Sequence, residues 1–250
     1  MKCSYKVFER RWILKKQTNQ NDFFQRYSNY EDGLITHFHK LPFFQEFSRM
    51  SNRMLIQFLL QLGHLSAEFI PWYEKAKQGF ESEEAKEVVR RILRDEIPVD
   101  APTHQDDRLH DLKLLGISKE KILNTPALPQ TRIVIRKMYA LSRYPQTEYE
   151  LKVLVTLRIF GEILVSETYQ YIVTALEQRF GIIPTQSHFY APHCYHDRKG
   201  EIEKNHTTSF DTLLNKLIVD ERTLQTAQKV ASRAFRLRSS FYGQFRRKYP

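Results

Sequence analysis

The chain has 250 residues, 39 Lys and Arg against 29 Asp and Glu, a formal net charge of +10, and 41% hydrophobic and 13% aromatic residues. That apolar share is enough for a sizeable core, and 8 Gly in the whole chain argue against a glycine-turn-rich β fold and for long helices. No apolar stretch reaches the ~18 residues that span a bilayer, the N-terminus lacks an apolar signal core, and Cys3 and Cys194 make neither a CxxC pair nor a disulfide framework, so the expectation is a soluble, cytoplasmic protein.

Residues 1–22 are basic and then polar and read as an arm, and residues 23–250 as one helical domain. From Phe23 a helical pattern carries Leu34, Ile35 and Phe38. Leu41 to Tyr73 is dense in apolar positions (Phe43, Phe44, Phe47, Leu55, Phe58, Leu62) at spacings of three and four, punctuated by Gly63 and Pro71. Ser82 before Glu83 and Glu84 is a helix start, since a hydroxyl caps free amides and acids suit the positive end. That helix runs to Asp95 and Glu96, where Pro98 and Pro102 break it. The next begins near Thr103 and stops at Gly116.

Asn124 to Pro129 reads as a loop, and residues 130–143 as a short amphipathic helix. Thr147 to Phe180 is the longest helical run, closed by Gly181 and Pro184. A polar stretch, Phe189 to His206, separates it from a helix through Phe210, Leu213 and Leu217. Asp220 or Glu221 opens the last helix. Strand-like alternation is nearly absent. The expected fold class is all-α, a single up-and-down bundle of about seven to eight helices.

Chemistry concentrates in FYAPHCYHDRKGEIEKNH, residues 189–206, with His193, His196, His206, Asp197, Glu201 and Glu203. His193 and Asp197 are one helical turn apart and share a face, as do Glu203 and His206. Imidazole nitrogen with carboxylate oxygen suits iron, manganese and zinc. Glu162 lies in an apolar stripe with Val155, Ile159, Val165, Tyr169 and Ile172. A buried ionised carboxylate needs a cation, a metal or a proton; Arg158, one turn earlier, is the ordinary partner. Glu167 sits on a neighbouring face and is expected in solvent. Glu96 ends one helix and His104 begins the next, so both can point at one site, although His110 could equally face inward. Together the segments match the carboxylate-rich di-iron arrangement of helix bundles.

The order and spacing resemble the haem-oxygenase-like di-iron oxidase superfamily, and within it the CADD-like proteins, which share a fold with TenA-type thiaminases and PqqC. The resemblance runs from about residue 30 to 220. HFHKLPFFQEFSRMS resembles the family's helix entry. RDEIPVDAPTHQDDRLHDLKLLGIS maps its first glutamate to Glu96 and its first histidine to His104. FGEILVSETY maps the second glutamate to Glu162, and FYAPHCYHD supplies His193 and Asp197. One departure is Gly200, where the family usually has its last histidine. Either an insertion puts His206 in that role, or Glu203 and His206 are the pair, with His193 or His196 upstream. At about 100° per residue, residue 206 is turned roughly 180° from residue 197 on one straight helix, so a break near Gly200 is required.

The resemblance implies an oxygen-activating oxidase or oxygenase with two iron ions, or one iron and one manganese, and dioxygen as co-substrate. It implies a small hydrophobic, aromatic or amine substrate, with 4-aminobenzoate-type biosynthesis as one setting and a tyrosine of the protein as a consumed group. Tyr169 and Tyr190 are the tyrosines placed near the site by spacing or adjacency. A homodimer is expected; a membrane or nucleic-acid partner is not. Two other readings stay open. One is a metal-free TenA-like enzyme using Cys194. The other is a non-enzymatic binding protein using the basic C-terminal helix, with Arg233, Arg236, Arg238, Arg246, Arg247 and Lys248.

Overall fold

A computed structural model describes the backbone of residues 4–196 and 206–245, and the side chains of residues 22–194 and 208–245. Among the described residues there are helices and turns and no strand. The elements are α1 (Ser4–His39), α2 (Pro42–Gln45), α3 (Asn52–Ala67), α4 (Phe69–Gln78), α5 (Glu83–Glu96), α6 (His104–Leu114), α7 (Lys119–Asn124) and α8 (Pro129–Ala140), followed by α9 (Tyr149–Thr156), a π-helical segment (Leu157–Ile163), α10 (Leu164–Phe180), α11 (Tyr190–His196), α12 (His206–Leu217) and α13 (Glu221–Tyr242). No described helix is long and apolar enough to cross a membrane.

The all-α class holds, with more helices than periodicity suggests. α2, α7 and α11 have 4, 6 and 7 residues, too few for an apolar period to declare itself. α1 spans 36 residues and takes in most of the stretch read as an arm, so it outruns the Tyr149–Phe180 rod. The boundaries that side-chain chemistry sets fall where the sequence puts them. Ser82 accepts from the Ala85 amide, Thr103 and Asp106 form a reciprocal capping box, and Asp220 caps Thr223. Gly116 and Gly181 take the left-handed conformation, at φ of 71° and 68°, that ends a helix without steric cost for glycine alone.

The rod α9–π–α10 runs through the middle of the bundle and is buried on nearly all sides from Leu151 to Tyr169. A helix apolar all round must be enclosed. α13 packs against α1, α8 and α9; α12 against α1, α5 and α9; and α11 against α10. Arg158, fully buried in the π segment, sends its Nε to Glu31 Oε1 at 2.8 Å and its Nη2 to Glu31 Oε2 at 3.0 Å and Asp211 Oδ1 at 2.9 Å. Glu31 on α1 and Asp211 on α12 are thus carboxylate partners of Arg158.

Candidate metal centre

Glu96 is the last residue of α5 and His104 the first of α6, with the exposed stretch 97–102 looping out between them. Because each helix is capped at its own boundary, the two side chains are brought back to one point. His104 Nδ1 lies 2.9 Å from Glu96 Oε2. From the other side, α11 brings His193, whose Nε2 lies 3.7 Å from Glu96 Oε1. One ligand atom of each of the three residues lies within 4.8 Å of the other two. Donors at about 2.0–2.2 Å from one ion would stand roughly 3–4 Å apart, so a small inward shift of these side chains would let all three reach one ion.

The donor chemistry fits an ion as well as the spacing does. His193 Nδ1 is 2.7 Å from the Phe189 carbonyl oxygen, which can only accept. The ring proton is therefore fixed on Nδ1, and Nε2 presents its lone pair to the cluster. His104 Nδ1 is buried and makes no hydrogen bond, although Glu96 Oε2 stands 2.9 Å away. A bare imidazole nitrogen and a carboxylate facing the same buried point repel unless a proton or a metal lies between them. Burial pushes the Glu96 carboxyl up; where the imidazoles of His104 and His193 turn protons and positive charge toward it, as they do without a metal, these outweigh burial and hold the group at about 2.

α11 has an anchor that sequence reading missed. Asp111, 1% exposed on α6, accepts from Ser187 Oγ at 2.6 Å and from the amides of His188, Phe189 and Tyr190 at 2.8, 3.1 and 3.1 Å. One carboxylate thereby satisfies the free amides at the start of the helix that carries His193. His110, the alternative inward histidine of α6, instead stacks on His188 with ring centroids 3.8 Å apart.

The cluster opens on a small cavity, about 50 Å³, whose wall includes Glu96, His104, Glu162, Tyr169, His193 and two arginines, Arg108 and Arg238. Glu162 is 1% exposed, so the carboxylate expected in an apolar stripe is buried. Tyr73 donates its hydroxyl to Glu162 Oε1. The widened π turn carrying Glu162 is met by that same tyrosine, whose hydroxyl also reaches the Leu157 carbonyl oxygen at 3.4 Å. Such π turns often mark functional positions.

Gly161 makes this contact workable, since a Cβ there would overlap the Tyr73 hydroxyl. Gly161→Ala is expected to displace Tyr73 and to destabilise the protein by about 1–3 kcal/mol, the usual effect of overpacking. Tyr73→Phe in the same chain should recover part of that loss, and thermal melts of the four proteins in the cycle check it.

Tyr169 lies on the cavity wall, its ring 5.8 Å from that of His193. Burial holds its phenol well above the ordinary value. Tyr190 is buried and packs edge-on to Tyr169 at 5.3 Å without reaching the cavity wall. Glu167, expected in solvent, is 7% exposed and meets His39 Nε2 at 2.9 Å, because the rod is enclosed on that face by α1. Cys194 is buried and is not among the cavity-lining residues. Asp197, Glu203 and the His196 side chain lie outside the described residues. His206 opens α12, but its side chain is likewise outside them.

A family model described as an iron-containing redox enzyme matches residues 56–239. No curated protein matches the chain by sequence. Among solved structures, a CADD-like protein of unknown function from Nostoc punctiforme is similar at a TM-score of 0.66 and 15% identity, covering 88% of this chain and 97% of that one. A domain of unknown function with a heme oxygenase-like fold from Shewanella denitrificans is similar at 0.64 and 14%, covering 88% and 89%. A TenA family transcription regulator from a Silicibacter species is similar at 0.61 and 11%, covering 89% and 96%. These likenesses show the fold, which is haem-oxygenase-like.

Proposed function

The chain belongs to the iron-containing redox enzyme family, and from that premise we propose that it is a di-metal oxidase or oxygenase, using two iron ions or one iron and one manganese with dioxygen as co-substrate. The observation that carries this reading is the convergence of Glu96, His104 and His193 on one buried point, with Glu162 on the same cavity wall. Those three residues would hold one ion. Glu162 is the candidate ligand of the second, with Asp197, Glu203 and His206 offered by the sequence to complete it. When bound, the metals would supply the electrons that activate dioxygen.

The chain's own residues do the rest. The Phe189 carbonyl keeps the His193 proton on Nδ1, so Nε2 is the ring nitrogen that would bind a metal. Tyr73 holds a proton at its hydroxyl against Glu162 and orients that carboxylate. Tyr169 stays protonated across the physiological range, because burial disfavours its phenolate. It is the tyrosine best situated to give up a proton or an electron at the cavity. Leu62, Leu65, Phe69, Met138, Phe160 and Phe189 keep water away from the reacting groups and suit a small apolar or aromatic substrate.

The test is metal analysis of protein purified after anaerobic ferrous loading. About two ions per chain are expected, and Glu162→Ala should lower that number while the fold survives. Protein that takes up no transition metal under those conditions ends the proposal.

A further inference from the structure

The outer face of α13 carries charge of one sign. No Asp or Glu follows Glu221 in the chain, and Lys229, Arg233 and Arg236 recur at spacings of four and three, so they share a helical face. All three are exposed, and among the described residues none of them has an ion-pair partner. α5 shows the contrasting arrangement, since its Lys86, Arg90 and Arg94 are each answered by Glu83 or Glu87 at 2.7 to 3.0 Å. Like charges three and four apart on a helix repel, so this stretch of α13 keeps a cost that α5 avoids.

The three cations line a groove of about 670 Å³, together with Tyr30 of α1, Lys152 of α9 and Tyr144 from the turn before α9. Among the described residues no carboxylate lines it. The Tyr30 hydroxyl bonds to Ser232 Oγ, which ties that ring to α13. The Lys152 ammonium stands 5.2 Å from the Tyr144 ring centroid and pairs with Glu148, which is not on the groove wall.

Charge, size and shape select the ligand. A singly charged molecule gains little from exposed cations, because water and salt screen each pair. A ligand with several negative charges engages them together, and a concave site of one sign concentrates such ions. Lys229 to Arg236 covers roughly 10 Å of helix at about 1.5 Å per residue, the reach of a short phosphate chain. Arginine forks match phosphate oxygens through paired N–H donors. A cleft of this volume encloses one small molecule, whereas a flat lipid surface does not enter it. Tyr30 adds a ring on which a planar base stacks.

We propose that this groove binds an oligophosphate joined to a planar ring, of the nucleoside di- or triphosphate class. Arg233 and Arg236 hold the phosphates, Lys229 and Lys152 add cationic contacts, and Tyr30 packs against the ring. The same helix presents Arg238 to the cavity of the candidate metal centre, so the groove is a second site, and it stands whether or not metals bind at the first.

The test is titration calorimetry of the full chain in magnesium-free buffer at low salt, with AMP, ADP, ATP and inorganic triphosphate as probes. Affinity should rise with phosphate number, by at least ~10-fold from AMP to ATP, and should fall as salt is raised. ATP should bind at least ~3-fold more tightly than triphosphate, because stacking of the base adds to charge, and Tyr30→Leu should remove that difference. Replacing both arginines, Arg233→Gln with Arg236→Gln, should weaken ATP binding at least ~10-fold. Both side chains are exposed, so the melting temperature of the ligand-free protein should stay that of wild type. Should the double variant melt lower, Lys229→Gln decides, with an expected loss of ~3-fold.

ATP that does not bind at low salt overturns the proposal. So does AMP or triphosphate binding as tightly as ATP, or ATP affinity untouched in the double variant and in Lys229→Gln. A short single-stranded RNA that binds wild type more tightly than ATP and weakens in the same variants would make the groove an RNA track instead.

Discussion

Glu96→Gln is expected to lower iron affinity by roughly 100-fold or more, a loss exceeding that usual for residues that merely support a ligand. The amide keeps the size and one acceptor oxygen but removes the negative charge that sits 2.9 Å from His104 Nδ1 and 3.7 Å from His193 Nε2. Two neutral imidazoles remain, and they hold a divalent ion far less well than a set with an anionic member. Chelator competition followed by metal analysis reads the change, and a variant with wild-type iron affinity would show that these three residues are not the binding site.

The same substitution has a second signature in the metal-free protein. The Glu96 carboxyl is held at about 2, below its ordinary 4.5, so between those values the unfolded chain binds a proton that the folded chain does not. Stability from this group is fully present above pH 4.5 and is lost as pH falls through 2. A tenfold change in proton affinity is worth about 1.4 kcal/mol, so the contribution is roughly 3 kcal/mol at most. Glu96→Gln should therefore flatten the fall in stability between pH 4.5 and 2, which denaturant melts at several pH values would detect. In iron-loaded protein the acid limb should begin at higher pH, because protons compete with the metal for both imidazoles.

What the sequence disclosed and what it hid follow from how local each signal is. Ser82, Thr103, Gly116, Gly181 and Asp220 act on amides or carbonyls within a few residues, so the helix ends they set were legible. Glu96 and His104 were legible as a pair because both stand at such ends. Arg238 was misplaced because the charges of α13 were counted along the chain instead of around the helix. Arg233 and Arg236 are exposed, but Arg238 falls on the stripe of Ala227, Ala231, Ala234 and Phe241 and turns inward, while Arg246, Arg247 and Lys248 lie outside the described residues. The basic C-terminal patch of the binding-protein reading thereby loses Arg238 to the cavity.

Three other features had no local signal. The π turn adds one residue to a helical circuit, and a stretch as rich in apolar residues as Leu151–Ile163 reads the same with or without it. Glu167 meets His39 across 128 residues of chain, and Arg158 meets Glu31 across 127. No period in either helix announces such partners. α6, by contrast, carried a readable hint. His104, Arg108 and Asp111 recur at spacings of four and three together with Leu112, which places three polar side chains on the face that packs inward. Polar groups on a core face need partners, and here they find the metal cluster, the cavity and the start of α11.

That last contact carries the second large effect. Asp111→Ala should destabilise the protein by about 3 kcal/mol or more, since it leaves buried donors without an acceptor. The donors are the Ser187 hydroxyl and the amides of His188, Phe189 and Tyr190, all within 3.1 Å of the carboxylate. At this chain length each kcal/mol moves the melting temperature by roughly 2–4 °C, so a drop on the order of 6–12 °C is expected. α11 has 7 residues, too short to hold its shape unaided. Its hold on position comes from Asp111 at one end and its packing on α10. His193 stands one turn into that helix, so loosening the start moves a metal ligand, and iron affinity should fall ~10–100-fold as for other residues that orient a ligand. Asp111→Asn keeps one acceptor oxygen and should fall between wild type and alanine in both measurements. Iron affinity unchanged in Asp111→Ala would show that α11 is held in place by its packing on α10 and not by this carboxylate.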